Sequence, residues 1–150
     1  MSTGFSAYVI SRTEIEQIMR FLTLLNTSST EKFIYQYPTY FAKHTEIDLQ
    51  KLALARNYDE FLTILSNTKY SQIFEKYKPD ENNLLPISDI ENDLYTFVFS
   101  NLKKVIKSKT KGTERKELME LFTVINDYNN FSRVLRLKKY YSLTPEQIKN

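Results

Sequence analysis

Cysteine is absent from the 150 residues, so neither a disulfide framework nor a thiolate zinc site can be built from this chain. That absence permits an intracellular location. Glycine occurs twice, at 4 and 112. Two glycines so far apart cannot form a P-loop or a dinucleotide-binding loop. Proline occurs four times. A sheet protein with many tight hairpins needs more of both residues, because they serve turns, bulges and helix stops. Histidine occurs once, at His44. His44-Thr45-Glu46 has the H-x-E spacing of zinc deaminases, but their cysteine pair is missing, so a surface or loop histidine is expected. No G-x-S-x-G elbow accompanies it. No apolar run approaches the roughly 18 residues of a membrane span, and residues 1–11 lack the form of a signal peptide. Any membrane association is therefore expected to come through partners. A net charge of +3 with 26% charged residues is too mild for a nucleic-acid footprint.

What is present is helical. Hydrophobic residues make up 41%, enough for a core. Ser11-x-x-Glu14 reads as a capping box, followed by Ile15, Ile18, Met19, Leu22 and Leu25 at helical spacing. Ser28-x-x-Glu31 reads as the start of a short helix ending at Pro38. A connector over 38–45 is then expected. Asp48 or Thr45 caps the next helix, Asn57 another, and Thr68 starts a fourth short unit. A polar loop follows over 79–86. Ser88-x-x-Glu91 opens a long helix carrying Leu94, Phe97, Val98 and Leu102. After a basic loop broken at Gly112, a helical pattern runs to Tyr140, with Leu118, Leu121, Phe122, Val124, Ile125, Tyr128, Phe131 and Leu135. Thr144-Pro145-Glu146-Gln147 has the form of another helix start. Such a short last element suggests a piece of a longer chain. The expected fold is all-α: one helical domain over 1–150, subdivided if anywhere near 79–87.

The charged clusters have modest readings. Asp89, Glu91 and Asp93, and likewise Glu14 and Glu16, suit helix N-termini, where acids complement the dipole. No catalytic, cofactor-binding or metal site is expected of them. Lys103, Lys104, Lys107, Lys109, Lys111, Arg115 and Lys116 form the strongest charge feature. They suit a solvated loop at a helix C-terminus, or an interface with an acidic partner, lipid headgroups or nucleic acid. The eleven tyrosines fall mostly on apolar faces and read as packing residues.

The most specific pattern lies near the end. Asp127 is followed by Asn130 and then by Val134-Leu135-Arg136-Leu137-Lys138, before the capped start at Thr144. This resembles the helix signature of the C-subunit family of V-type and archaeal-type ATPases, whose eukaryotic members are called d. Asp127, Asn130, Leu135, Arg136 and Lys138 match its positions. Leu65-Ser66-Asn67-Thr68-Lys69-Tyr70 looks like the family's Leu-x-x-Thr-x-Tyr element, through Thr68 and Tyr70. Asp89-Ile90-Glu91 is similar to the start of its long helix. Glu14-x-x-Gln17-Ile18-x-Arg20 echoes Asp127-x-x-Asn130-Phe131-x-Arg133. Asp127 and Asn130 are helix-surface neighbours beside an apolar stripe, so partial burial and a packing role are expected of them.

The resemblance implies a funnel-like array of similar helical subdomains, of which this chain holds part. It implies a non-catalytic subunit between the central stalk and the membrane rotor ring, peripheral on the cytoplasmic side. It implies no cofactor, no small-molecule substrate and no nucleic acid. A generic helical protein-binding adaptor and a helical nucleic-acid module using residues 103–116 are the alternatives.

Overall fold

The computed structural model describes residues 3–35 and 37–141. Among them the regular structure is α1 (Thr3–Asn26), a 3-10 turn (Thr30–Lys32), α2 (Thr39–His44), α3 (Leu49–Leu54), α4 (Tyr58–Leu65), α5 (Ser71–Phe74), α6 (Ile87–Lys109) and α7 (Gly112–Tyr141). No strand occurs among these residues, and the fold is all-α as expected. The chain forms two compact units, Met1–Leu102 and Lys103–Asn150, with the boundary inside α6.

In the first unit α1 packs against the 3-10 turn and α2, α3 packs against that turn and α4, and α4 packs against α5. Ile15, Ile18, Phe21 and Leu22 of α1 are fully buried, as their spacing predicts. Each such side chain contributes about 1.5–3 kcal/mol by leaving water. Phe61 is the centre of an aromatic cluster. Its ring stacks on Phe21 at 5.4 Å and meets Phe74 edge-on at 5.0 Å.

Two helix starts are as the sequence predicts. Asp48 caps α3 by accepting from the Lys51 backbone N–H at 3.0 Å, and that bond holds its carboxyl below the usual carboxylate range. Asn57 caps α4 by accepting from Glu60 N–H at 2.9 Å. Other starts differ. Ser11 and Glu14 do not open α1, which begins at Thr3; both lie mid-helix and are buried. Ser28 takes a left-handed backbone, φ 53°, and only a 3-10 turn follows it, so Phe33 and Ile34 are not helical. The connector over 38–45 contains the short helix α2 instead. Ser88 sits just inside α6, whose first turn includes a bond from Ile90 N–H to the Pro86 carbonyl. The start written at Thr144 lies outside the described residues.

Scarce glycine is compensated by side chains. In the polar link over 79–86, Asn83 takes a φ of 61°, and Asp80 Oδ1 accepts from the backbone of Asn82 and Leu84, each at 2.8 Å. Asn tolerates that conformation better than most residues. Asn26 then ties the link to the end of α1: its amide accepts from Leu85 N–H and donates to the Leu85 carbonyl, both at 2.9 Å.

In the second unit the basic segment is not a loop. Lys103, Lys104, Lys107 and Lys109 lie on α6, and only Thr110 and Lys111 link it to α7. Gly112 opens α7 at φ +60°, where a side chain would strain the backbone. Arg115 closes the end of α6. Its guanidinium donates to the Thr110 carbonyl at 2.9 and 2.5 Å and to the Lys107 carbonyl at 2.7 Å, satisfying groups that a helix end leaves open.

Candidate functional site

The most tightly built polar arrangement surrounds Glu14. Its side chain is completely buried, yet each carboxylate oxygen has partners. Oε1 accepts from Thr45 Oγ1 at 3.0 Å and from Glu46 N–H at 2.9 Å. Oε2 accepts from the Tyr70 hydroxyl at 2.7 Å and pairs with Lys69 Nζ at 2.8 Å. Lys69 also donates to Ser11 Oγ at 3.1 Å, and its backbone N–H donates to Glu46 at 3.1 Å. A buried carboxylate is tolerated only when paired and hydrogen-bonded, and here both conditions hold. The node ties α1 to the α2–α3 turn and to the α4–α5 turn.

Sequence places these groups. Helical spacing puts Ser11 and Glu14 on the buried face of α1 with Ile15 and Ile18. Thr68 Oγ1 donates to the Leu65 carbonyl at 2.8 Å and accepts from Tyr70 N–H at 3.3 Å, which shapes the turn that presents Lys69 and Tyr70. Burial, with the Glu14 charge beside it, pushes the Tyr70 phenol far above its ordinary value. Nothing in this arrangement is a nucleophile with a base. Every group is committed to another, which suits a lock between helices.

A second, smaller lock joins the turn after α5 to α6. Asp93 pairs with Lys76 and accepts from the Tyr77 hydroxyl at 2.6 Å. Burial pushes the Asp93 carboxyl up, but the bonds from Lys76 and Tyr77 outweigh it and hold it below the usual range. Asp93 thus belongs to a side-chain contact, not to the helix dipole as expected. Glu14 is the same kind of correction. Glu16 makes an exposed pair with Arg12 at 3.3 Å.

The burial of four tyrosine phenols, Tyr70 and Tyr77 in these locks and Tyr58 and Tyr95 outside them, carries a pH dependence. Burial pushes the phenols of Tyr58 and Tyr95 up to about 12, and Tyr70 and Tyr77 are also raised. The folded chain therefore keeps these protons at pH values where the unfolded chain, near 10, has lost them. Their stabilising share is present below pH 10 and is lost as pH rises beyond it. Urea midpoints should fall between pH 10 and 12, and fall less steeply in Tyr70→Phe. An equally steep fall in that variant would assign the loss to other groups.

The residues singled out in sequence are scattered. Thr68 and Tyr70 are buried in the node, and Glu91 is half-buried on the first turns of α6. Lys103, Lys104, Lys107, Lys109, Lys111 and Lys116 are exposed, while Arg115 is half-buried in its capping role. Asp127 and Asn130 are both exposed on α7, contrary to the partial burial expected of them. Leu135, Arg136 and Lys138 are exposed beside them. The double variant Asp127→Ala with Asn130→Ala should therefore leave the melting temperature of the chain within about 1 °C, as is usual for exposed sites. A drop of several degrees would show a packing role after all. The residues that sequence reasoning missed are Lys69 and Asn26; the only trace of Lys69 was its place inside the Leu65–Tyr70 element.

Around Pro38, Phe41 is buried and meets Tyr37 edge-on at 5.3 Å, whereas Tyr40 is exposed and stacks on His44 at 4.2 Å. Among the described residues no group of three or more His, Asp or Glu is placed to hold a metal ion. No helix there is long and apolar enough to cross a membrane.

Helices locked together by committed polar side chains make up an all-α protein. The chain belongs to the ATP synthase (C/AC39) subunit family, whose model matches residues 2–150. No curated protein and no solved structure matches it.

Proposed function

We propose that this chain is a non-catalytic part of a rotary V-type ATPase or ATP synthase, linking the central stalk to the membrane rotor ring in proton or sodium transport. The observation that carries this reading is the family match over nearly the whole chain. The first unit is consistent with it, because polar side chains locked between its helices and turns resist deformation under load. The chain is read as peripheral on the cytoplasmic side, held there by other subunits. The exposed lysines from Lys103 to Lys116 form a positive rim that steers acidic partner surfaces. The glycines at 4 and 112 leave no phosphate-cradling loop, so the purified chain should show no saturable ATP binding by calorimetry.

The test is a pull-down at moderate salt with purified stalk and ring subunits, beside liposome sedimentation. Retention by either subunit is the expected result. Strong liposome binding with no affinity for either subunit would replace the reading with a membrane-surface adaptor.

A further inference from the structure

The positive charge of the chain is gathered in one short stretch. Seven of its 21 cations and one of its 18 acids lie between 103 and 116, so that stretch carries +6 and the rest of the chain −3. Lys103, Lys104, Lys107, Lys109 and Lys111 are all exposed, and none has an acidic partner among the described residues. Elsewhere on the surface Arg12 pairs with Glu16 and Lys51 with Asp48. Lys103, Lys104 and Lys107 share one side of α6, away from the buried Leu102 and Ile106. From Lys103 to Lys109 the helix rises about 9 Å. That is about one Debye length at moderate salt, so the charges act together and repel one another.

The helix itself does not account for them. Cations are favoured at a helix C-terminus only within its last turn. Lys103 and Lys104 lie more than one turn before Lys109, where α6 ends. The open carbonyls at that end are taken by Arg115, which donates to Lys107 and Thr110. Among the described residues nothing offsets the repulsion, and an anion from outside the chain would.

The residue types select the anion. Specific protein contacts centre on aromatic, Met and Arg side chains and are poor in Lys. No aromatic residue or Met lies between 103 and 116, and the one Arg is committed to carbonyls. Nucleic-acid bases are read by Arg, Asn and Gln or stacked on aromatics, and the stretch has none of these free. What it has is six lysines, which are hydrated point charges on flexible stems. Clusters of roughly four to eight such cations on an amphipathic helix suit a fluid sheet of phosphate headgroups, which needs charge density and no fixed geometry.

We propose that the end of α6 and its link to α7 bind an anionic lipid surface, with the lysines from Lys103 to Lys111 among its phosphate headgroups. Charges that steer acidic surfaces from a distance thus have lipid as their contact. The proposal rests on the functional reading above only for which leaflet is met.

The test is sedimentation of the full chain with phosphatidylcholine vesicles, with and without phosphatidylserine. Binding is expected only with phosphatidylserine, and it should be lost at about 0.5 M salt, where screening shortens the reach of each charge. Each lysine near such a surface contributes about fivefold in affinity, so Lys103→Gln with Lys104→Gln and Lys107→Gln should weaken binding about a hundredfold. The melting temperature should not fall, because all three are exposed. Lys32→Gln with Lys43→Gln and Lys78→Gln removes the same charge from exposed sites of the first unit, and should cost less than about threefold. Equal binding to neutral vesicles, no binding to either kind, or equal losses in the two triple variants would overturn the proposal. So would release by millimolar inorganic phosphate, the mark of a phosphate site. Tighter binding, charge for charge, to duplex DNA or to polyglutamate would assign the stretch to a nucleic acid or an acidic protein instead. Failure with vesicles leaves the rotary reading standing. Vesicle binding without retention by stalk or ring removes that reading and leaves the lipid contact.

Discussion

Glu14→Ala is expected to lower the stability of the chain by about 3–5 kcal/mol, the range for breaking a buried ion pair from one side. For a chain of this size that shifts the thermal midpoint down by roughly 10 °C. The reason is what the substitution leaves behind. The Tyr70 hydroxyl, completely buried, loses its 2.7 Å acceptor and keeps only a 3.4 Å contact with the Ser11 carbonyl. Glu46 N–H and Thr45 lose theirs. Lys69 keeps some access to water, with 29% of its side chain exposed, so its share of the loss is the smallest. A buried donor without an acceptor costs about 1–3 kcal/mol. Glu14→Gln keeps one acceptor oxygen and should lose less. Lys69→Met removes the cation but leaves three hydrogen bonds on Glu14, and should fall between the two. Thermal melts of the three variants give the ordering. A loss below about 1 kcal/mol for Glu14→Ala would mean that apolar contacts, not the node, hold α1 to the turns.

The same node shows where the sequence was legible and where it was not. Helical spacing located the buried face of α1 correctly, because burial of Ile15, Ile18 and Leu22 follows from a local period. The caps at Asp48 and Asn57 were legible because a cap bonds its own helix three residues on. Ser11-x-x-Glu14 has the capping pattern but serves contacts more than thirty residues away, at Thr45 and Tyr70, and no local rule separates the two uses. Asn26 and Leu85 are likewise joined across 59 positions. Arg115 looked like one more cation in a basic run. Its role at the end of α6 depends on the turn at Thr110–Gly112, which the spacing alone did not describe. The exposure of Asp127 and Asn130 was illegible for another reason. The apolar stripe beside them implied a covering layer, and the cover present on α1 is absent from α7 among the described residues.

Phe61→Ala should be comparably damaging, by about 3–5 kcal/mol, the cost of removing a buried phenylalanine and leaving a cavity. Phe61 is completely buried. Its ring touches three others: Phe21 stacked at 5.4 Å, Tyr58 stacked at 5.8 Å and Phe74 edge-on at 5.0 Å. Such ring pairs add about 0.5–1.5 kcal/mol each beyond the area they bury. The cavity resists collapse because its walls are held elsewhere. Phe21 is fixed by Phe33, edge-on at 5.8 Å, and Tyr58 is anchored through its hydroxyl to the Tyr77 carbonyl at 3.0 Å. Phe61→Leu fills most of the space but loses the ring pairs, so about 1–2 kcal/mol is expected. In urea titrations both variants should lower the midpoint without changing the slope, since the surface exposed on unfolding is nearly the same. A shallower slope for Phe61→Ala would reveal a loosened native state. A loss under about 1.5 kcal/mol would show that Phe21 and Phe74 close over the gap, and the cluster would then be softer than its geometry indicates.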